Sequence, residues 1–201
     1  MTWELPPGKL LVVTGPSGAG KTSLLACLRG ILRPQAGSVS IPDGPRAAVG
    51  VVFQHLRLTG NLSVLSNVLC GRLGHHRWWE TLFGFPAAER EQAFDIIAEL
   101  GLAGLVHRPV RSISGGERQR TAIARVLFQD PAVILADEPT SSLDPQLALR
   151  VMERFRTLCD KKERTVIAVL HDRAMVERFA DLELRLGFEN GGWEISEPRR
   201  G

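Results

Sequence analysis

The sequence predicts an α/β fold built on a mostly parallel sheet. Apolar runs of strand length recur along the chain, helical patterns separate them, and the first run leads through a glycine-rich turn into a helix. Lys9 to Thr14 (KLLVVT) is that first run, and Thr22 to Gly30 is the amphipathic helix after it. Between them Gly15-Pro16-Ser17-Gly18-Ala19-Gly20-Lys21-Thr22 fits the phosphate-binding pattern G-x-x-x-x-G-K-[ST]. Such a turn lets backbone N–H groups point inward at a polyphosphate, and the positive end of the helix dipole adds to their field. Lys21 is placed to reach the β- and γ-phosphates, and the Thr22 hydroxyl to ligate Mg²⁺. Binding of a nucleoside triphosphate is the expectation.

Composition bounds the remaining classes. The 201 residues have room for one α/β core and at most a small subdomain. Hydrophobic content of 44% and charged content of 23% belong to a globular domain and exclude a disordered or fibrous chain. A net charge of +3 is too small to argue for nucleic acid, so no nucleic-acid partner is expected. Cys27, Cys70 and Cys159 lack metal-ligand or redox spacing and read as free thiols of a reducing compartment. No run approaches the ~18 apolar residues of a membrane span, and no basic-then-apolar leader pattern opens the sequence. A cytoplasmic chain is expected.

Pro34 and Gly37 mark a turn after the first helix, Ser38–Ile41 reads as a short strand, and Ala47–Phe53 (AAVGVVF) as a stronger one. From His55 to Arg111 the signals turn helical. The clearest is Ala87 to Leu100, with Ala93, Phe94, Ile97 and Leu100 assigned to one face and Gly101 closing the end. Strand patterns return at Ala132–Ala136 and Thr165–Leu170. The simplest organisation is an α/β core, 1–54 and 112–201, interrupted by a helical subdomain at 55–111.

The segments after the insert carry further chemistry. Ser112-Ile113-Ser114-Gly115-Gly116-Glu117-Arg118-Gln119-Arg120 opens a helix running to about Gln129, with Ser114 as N-cap and two glycines leaving the first amides open to an anion. Val133-Ile134-Leu135-Ala136-Asp137-Glu138 is an apolar strand ending in two carboxylates, at the sheet edge where a parallel fold places its ligand. Asp137 can bind Mg²⁺ through water, and Glu138 can act as general base on an attacking water. Ser142-Leu143-Asp144 follows, and His171 ends another apolar strand.

In this order the residues resemble the ATP-binding cassette (ABC) ATPases over nearly the whole chain. Gly15–Thr22 is similar to the Walker A loop, Gln54 to the Q-loop glutamine and Ile113–Glu117 to the signature LSGGQ. Asp137 and Glu138 match the Walker B pair, Ser142–Asp144 the D-loop and His171 the switch histidine. Asn67–Gly74 and Trp78–Phe85 look like the helical insert of phosphonate-importer ATPases. The resemblance implies a P-loop NTPase core with an inserted α-helical subdomain and a reduced antiparallel β-subdomain. It implies ATP and Mg²⁺ as ligands, held by Gly15, Pro16, Ser17, Gly18, Ala19, Gly20, Lys21, Thr22 and Ser23, with Thr22, Gln54 and Asp137 around the metal. Glu138, His171, Lys21 and Gln54 are the implied catalytic set. A head-to-tail cassette dimer, of two copies or of pseudo-symmetric cassettes, would bring Ser114, Gly115, Gly116 and Asp144 to the neighbour's nucleotide. The implied partner is a transmembrane permease subunit, which places the chain at the cytoplasmic face of the membrane, with Trp78 and Trp79 part of the dock or of ordinary subdomain packing. His55, His75, His76 and His107 are assigned to solvated loops or subdomain surfaces.

The sequence also departs from the family. It contains no Tyr, and Trp3 falls on the strand before the phosphate loop rather than at the family's adenine-stacking position, so weak selectivity between bases is expected. The span from Lys21 to Gln54 is short. Glu117 replaces the signature glutamine, and its carboxylate is expected to point away from the nucleotide. A soluble accessory ATPase of phosphonate breakdown, or another non-transport ABC protein, is the alternative to a transport ATPase.

Overall fold

The computed structural model describes residues 3–41, 49–52, 56–77, 79, 84–187 and 192–198. The chain divides into two compact units, Met1–Val51 with Pro131–Gly201, and Val52–Asp130. Residues 112–130 therefore group with the helical unit, whereas the sequence reading drew that boundary at Arg111.

Among the described residues the sheet has six strands: β1 (Leu10–Thr14), β2 (Val49–Val52), β3 (Val133–Asp137), β4 (Thr165–Val169), β5 (Leu182–Leu186) and β6 (Trp193–Ser196), in the order β2-β3-β4-β1-β5-β6. β3, β4, β1 and β5 are parallel neighbours, and β6 runs antiparallel to β5. Leu10, Leu11, Val12 and Val13 are all fully buried, as a central strand covered on both faces requires. One face packs Leu11, Val13, Leu135, Ile167, Val169 and Leu184 together with Leu25 of helix α1 (Lys21–Leu28). Trp3 is among the partly buried residues packed against that cluster. Helix α5 (Pro145–Lys162) lies on β1 and β4, burying Phe155 and Met152 completely. Each such side chain contributes roughly 1.5–3 kcal/mol by leaving water.

The second unit contains helices α2 (Val64–Leu69), α3 (Ala87–Glu99) and α4 (Gly115–Gln129), which pack on one another, and a 3₁₀ turn at Cys70–His75 that packs on α2 and α4. Asn67 is buried and fully used. Its Nδ2 donates to the carbonyls of Thr59, Leu62 and Ser63, and its Oδ1 accepts from the Thr59 N–H.

Two expectations are corrected. Ser38–Ile41 is not a strand: residues 38–40 are exposed, Val39 by 42%, so no buried face holds a partner. On α3 the buried face is Ala93, Ile96 and Ile97, with Leu100 just beyond, while Phe94 is 44% exposed. One residue past Ala93 is about 100° further round the helix, which carries Phe94 off that face. Strands β5 and β6 are additional to the strands expected from the sequence. Among the described residues the three cysteines are free, and burial pushes the Cys159 thiol up to about 12. No helix among them is long and apolar enough to cross a membrane.

At the N-terminal end of β1, Asp181 Oδ2 accepts from the Leu10 N–H at 2.8 Å and from Arg156 Nη1 at 2.6 Å. Burial pushes this carboxyl up, but the Arg156 and Leu10 hydrogen bonds outweigh it and hold it below the ordinary range. A depressed folded value adds stability above the unfolded value of about 3.9, lost as pH falls through the folded one. Asp181→Asn is therefore expected to lower the urea midpoint at pH 7, with the gap to wild type closing below about pH 4. A gap that stays constant with pH contradicts this ion pair's role.

Candidate functional site at the phosphate loop

Three parallel strands deliver chemistry to one edge of the sheet. β1 ends at Thr14 and turns into the glycine loop, β3 ends at Asp137, and β4 ends two residues before His171. Gly15, with φ +146°, comes so near β5 that a Cβ there would lie 2.4 Å from the Leu186 carbonyl oxygen. No other residue type fits. Gly20 caps α1 in the left-handed region, φ +89°, and a Cβ on Gly18 or Gly20 would meet nothing within 4 Å, so the loop is open there. Lys21 is the first residue of α1 and is only 8% exposed. Its ammonium donates to the carbonyls of Gly15 (2.8 Å) and Pro16 (2.9 Å), which holds the cation against the loop. Pro16, Ser17, Gly18 and Ser23 are exposed, Ala19 half-buried.

The structure brings the Walker-type pair to this loop. Thr22 Oγ1 donates to Asp137 Oδ2 at 3.1 Å. Burial raises the Asp137 carboxyl above its ordinary value, Glu138 beside it adds to the rise, and the Thr22 hydrogen bond opposes it. A hydroxyl and a single half-buried carboxylate are hard oxygen donors that suit Mg²⁺, which takes one or two carboxylates plus phosphate and water. Among the described residues no group of three or more His, Cys, Asp or Glu could hold a metal ion.

Glu138 sits in the left-handed region, φ +51°, an uncommon conformation for a residue with a Cβ. Its backbone carbonyl accepts from the Ser141 hydroxyl (3.1 Å), which tightens the turn. Its Oε1 lies 2.8 Å from His171 Nε2, with His171 exposed and Glu138 half-buried. An ionised Glu138 takes the ring N–H as donor. Asp144 is the N-cap of α5, where its Oδ1 accepts from the Leu147 N–H at 3.0 Å. Gln54, His55 and Trp78 lie outside the described residues.

In the second unit, Ser114 caps α4 and leaves Gly115 and Gly116 in its first turn. Ser114 Oγ accepts from the Glu117 N–H at 3.3 Å, and Glu117 Oε2 accepts from the Ser114 N–H at 2.7 Å, a reciprocal capping box. That backbone hydrogen bond is the main cause holding the Glu117 carboxyl below its ordinary value. His75 and His107 are exposed, while His76 bonds Glu89 Oε2 at 2.9 Å and meets the Phe85 ring edge-on.

Residues 1–141 match the family described as ABC transporter. The chain belongs to the ABC transporter family. The Phosphonates import ATP-binding protein PhnC 1 of Natronomonas pharaonis is 43% identical over 199 residues, covering 97% of this chain and 84% of that protein. The Phosphonates import ATP-binding protein PhnC of Nitratidesulfovibrio vulgaris is 39% identical over 182 residues, covering 84% and 69%. The Phosphite import ATP-binding protein PxtA of Stutzerimonas stutzeri is 41% identical over 184 residues, covering 87% and 67%. Among solved structures, a dimeric bacterial ABC transporter cassette superposes with a TM-score of 0.82 at 26% identity, covering 98% of this chain and 88% of that one. A dimeric cassette in a post-hydrolysis state bound to ADP and Pi gives 0.81, with the same identity and coverage.

As an ABC cassette the chain binds nucleotide and hydrolyses ATP. The glutamate in its signature is explained by the capping box, a job that either Glu or Gln performs at this position. Ser114→Ala is expected to cost about 1 kcal/mol of stability in urea unfolding. Glu117→Gln keeps the box and loses only the charge, so its midpoint should fall by less than that of Ser114→Ala. A Glu117→Gln loss as large as that of Ser114→Ala would show that the carboxylate, and not the box, matters.

Proposed function

We propose that this chain is the ATP-hydrolysing subunit of an ABC importer for phosphonate or a related oxyanion, driving a transmembrane permease through closure and reopening of a cassette dimer. The observation that carries it is the meeting of Thr22 with Asp137, and of Glu138 with His171, around one phosphate loop. The importer names of the PhnC and PxtA relatives support the solute class. The whole chain acts as a single nucleotide-binding domain, peripheral at the cytoplasmic face of the membrane. Exposed Leu73, Trp79 and Phe94 on the second unit support a dock for an apolar segment of the permease.

In this reading the backbone N–H groups of Gly15 and of Ser17 to Ser23, Pro16 having none, and the Lys21 ammonium bind the β- and γ-phosphates. Thr22, Asp137 and Gln54 would hold Mg²⁺, whose charge would offset that of the phosphates. Glu138 takes the proton of the attacking water, and His171 keeps the Glu138 carboxylate and the γ-phosphate in register. Ser114, Gly115, Gly116 and Asp144 serve the nucleotide of the neighbouring cassette, where the α4 dipole favours the anion. A soluble accessory ATPase would carry the same residues, and co-purification with a polytopic membrane protein separates the two.

Glu138→Gln preserves shape and deletes the base. Hydrolysis should fall about 10²–10⁴-fold while ATP binding persists. The variant should accumulate as an ATP-bound dimer on size-exclusion chromatography. Near-normal turnover would remove Glu138 from this role.

A further inference from the structure

β5 reads Leu182-Glu183-Leu184-Arg185-Leu186, and Glu183 is only 1% exposed. Its carboxylate is saturated with donors. Oε1 accepts from the Thr14 hydroxyl at 2.8 Å and lies 3.1 Å from Arg185 Nε. Oε2 accepts from Arg173 Nη1 at 2.7 Å and Arg185 Nη2 at 3.2 Å. Burial would raise this carboxyl, but the hydrogen bonds from Arg185, Arg173 and Thr14 together hold it below the ordinary range, so it is ionised at neutral pH.

A buried ion cluster is weak evidence for stability, because desolvation consumes most of the Coulombic gain and an apolar residue often serves the fold as well. The position of the partners offers a different reason for it. Thr14 is the last residue of β1 and precedes Gly15 of the phosphate loop. Arg173 is the first residue of α6 (Arg173–Phe179), two beyond His171, and Asp172 between them caps that helix by accepting from the Ala174 N–H. One carboxylate thus bonds both to the root of the phosphate loop and to the root of the His171 turn. β5 also walls the loop, since a Cβ on Gly187 would lie 3.0 Å from the Ala19 Cβ.

We infer that Glu183 is a positioning residue for ATP hydrolysis, holding the His171 turn, through Arg173, in fixed register with the phosphate loop, through Thr14. The inference rests on the reading of His171 given above. Arg173 and Arg185 are 43% and 39% exposed, so both can turn to water when the carboxylate is removed, and Glu183→Gln should fold. A glutamine oxygen keeps the Thr14 hydrogen bond and loses the charge that holds Arg173.

The test is steady-state ATP hydrolysis by the full chain carrying Glu183→Gln, His171→Ala or both. Glu183→Gln should lower kcat about tenfold or more, of the order that misplacing a group by a fraction of an ångström costs, and change KM less than about twofold. The double variant should be no slower than His171→Ala alone. Arg173→Met, at an exposed position, should reproduce the kcat loss and supplies the measurement if Glu183→Gln does not fold. A smaller kcat loss, a matching rise in KM, or losses that multiply with His171→Ala overturn the inference and leave the His171 reading standing. His171→Ala with wild-type kcat overturns both, and only that result reaches the reading itself.

Discussion

Gly15 passes so close to the Leu186 carbonyl that no side chain fits between them, and the site depends on that approach. It lets the chain leaving β1 turn over the end of β5 and lay its amides at the N-terminus of α1. The parallel order β3-β4-β1 then does the rest. In parallel register both Val13 and Asp137 pair with Val169, so Asp137 and His171 arrive beside the loop, where the Thr22 bond to Asp137 and the Glu183 bonds to Thr14 and Arg173 hold the arrangement. The left-handed backbone at Glu138 turns the chain immediately after β3. Strain of this kind costs about 1–3 kcal/mol and persists where surrounding structure over-determines it. Here the apolar strand before it and the Ser141 contact after it supply that support.

The residues that handle phosphate were legible because their chemistry demands particular types at fixed spacing. Glycines with positive φ, a lysine opening a helix and two acids ending an apolar strand have few substitutes. Strand β1 and helices α3 and α4 were legible from period and caps, to within a residue or two. What escaped depended on tertiary context. β5 alternates apolar with charged residues and reads as a half-exposed strand, yet Glu183 is among the most buried side chains in the chain. Only its partners, Thr14, Arg173 and Arg185, distant in sequence or on its own strand, make that burial tolerable. Glu117 looked like a misfit beside a phosphate because its backbone partner, the Ser114 N–H, is visible only once the helix has formed. Phe94 was drawn to the core by its hydrophobicity, and helix geometry moved it out.

Asp181, just before β5, and Glu183, two positions on, each accept from an arginine, but they serve opposite ends of β1. Asp181 takes the Leu10 N–H at the strand's beginning, and Glu183 takes the Thr14 hydroxyl at its end. The central strand is therefore fixed at both ends by carboxylates on and just before β5, while its middle is held by its ladders to β4 and β5 and by packing. Such an arrangement resists sliding of β1 along β5, the motion that would carry the phosphate loop away from Asp137.

The central claim is that the backbone from Gly15 to Ser23 wraps the triphosphate of ATP. Hydrogen–deuterium exchange on the purified chain, with and without Mg-ATP, measures this directly. The account predicts that the amides of Gly15 and of residues 17–23 slow by at least about tenfold on Mg-ATP addition, equivalent to ~1.4 kcal/mol of protection. Unchanged exchange through that loop at saturating Mg-ATP would contradict it.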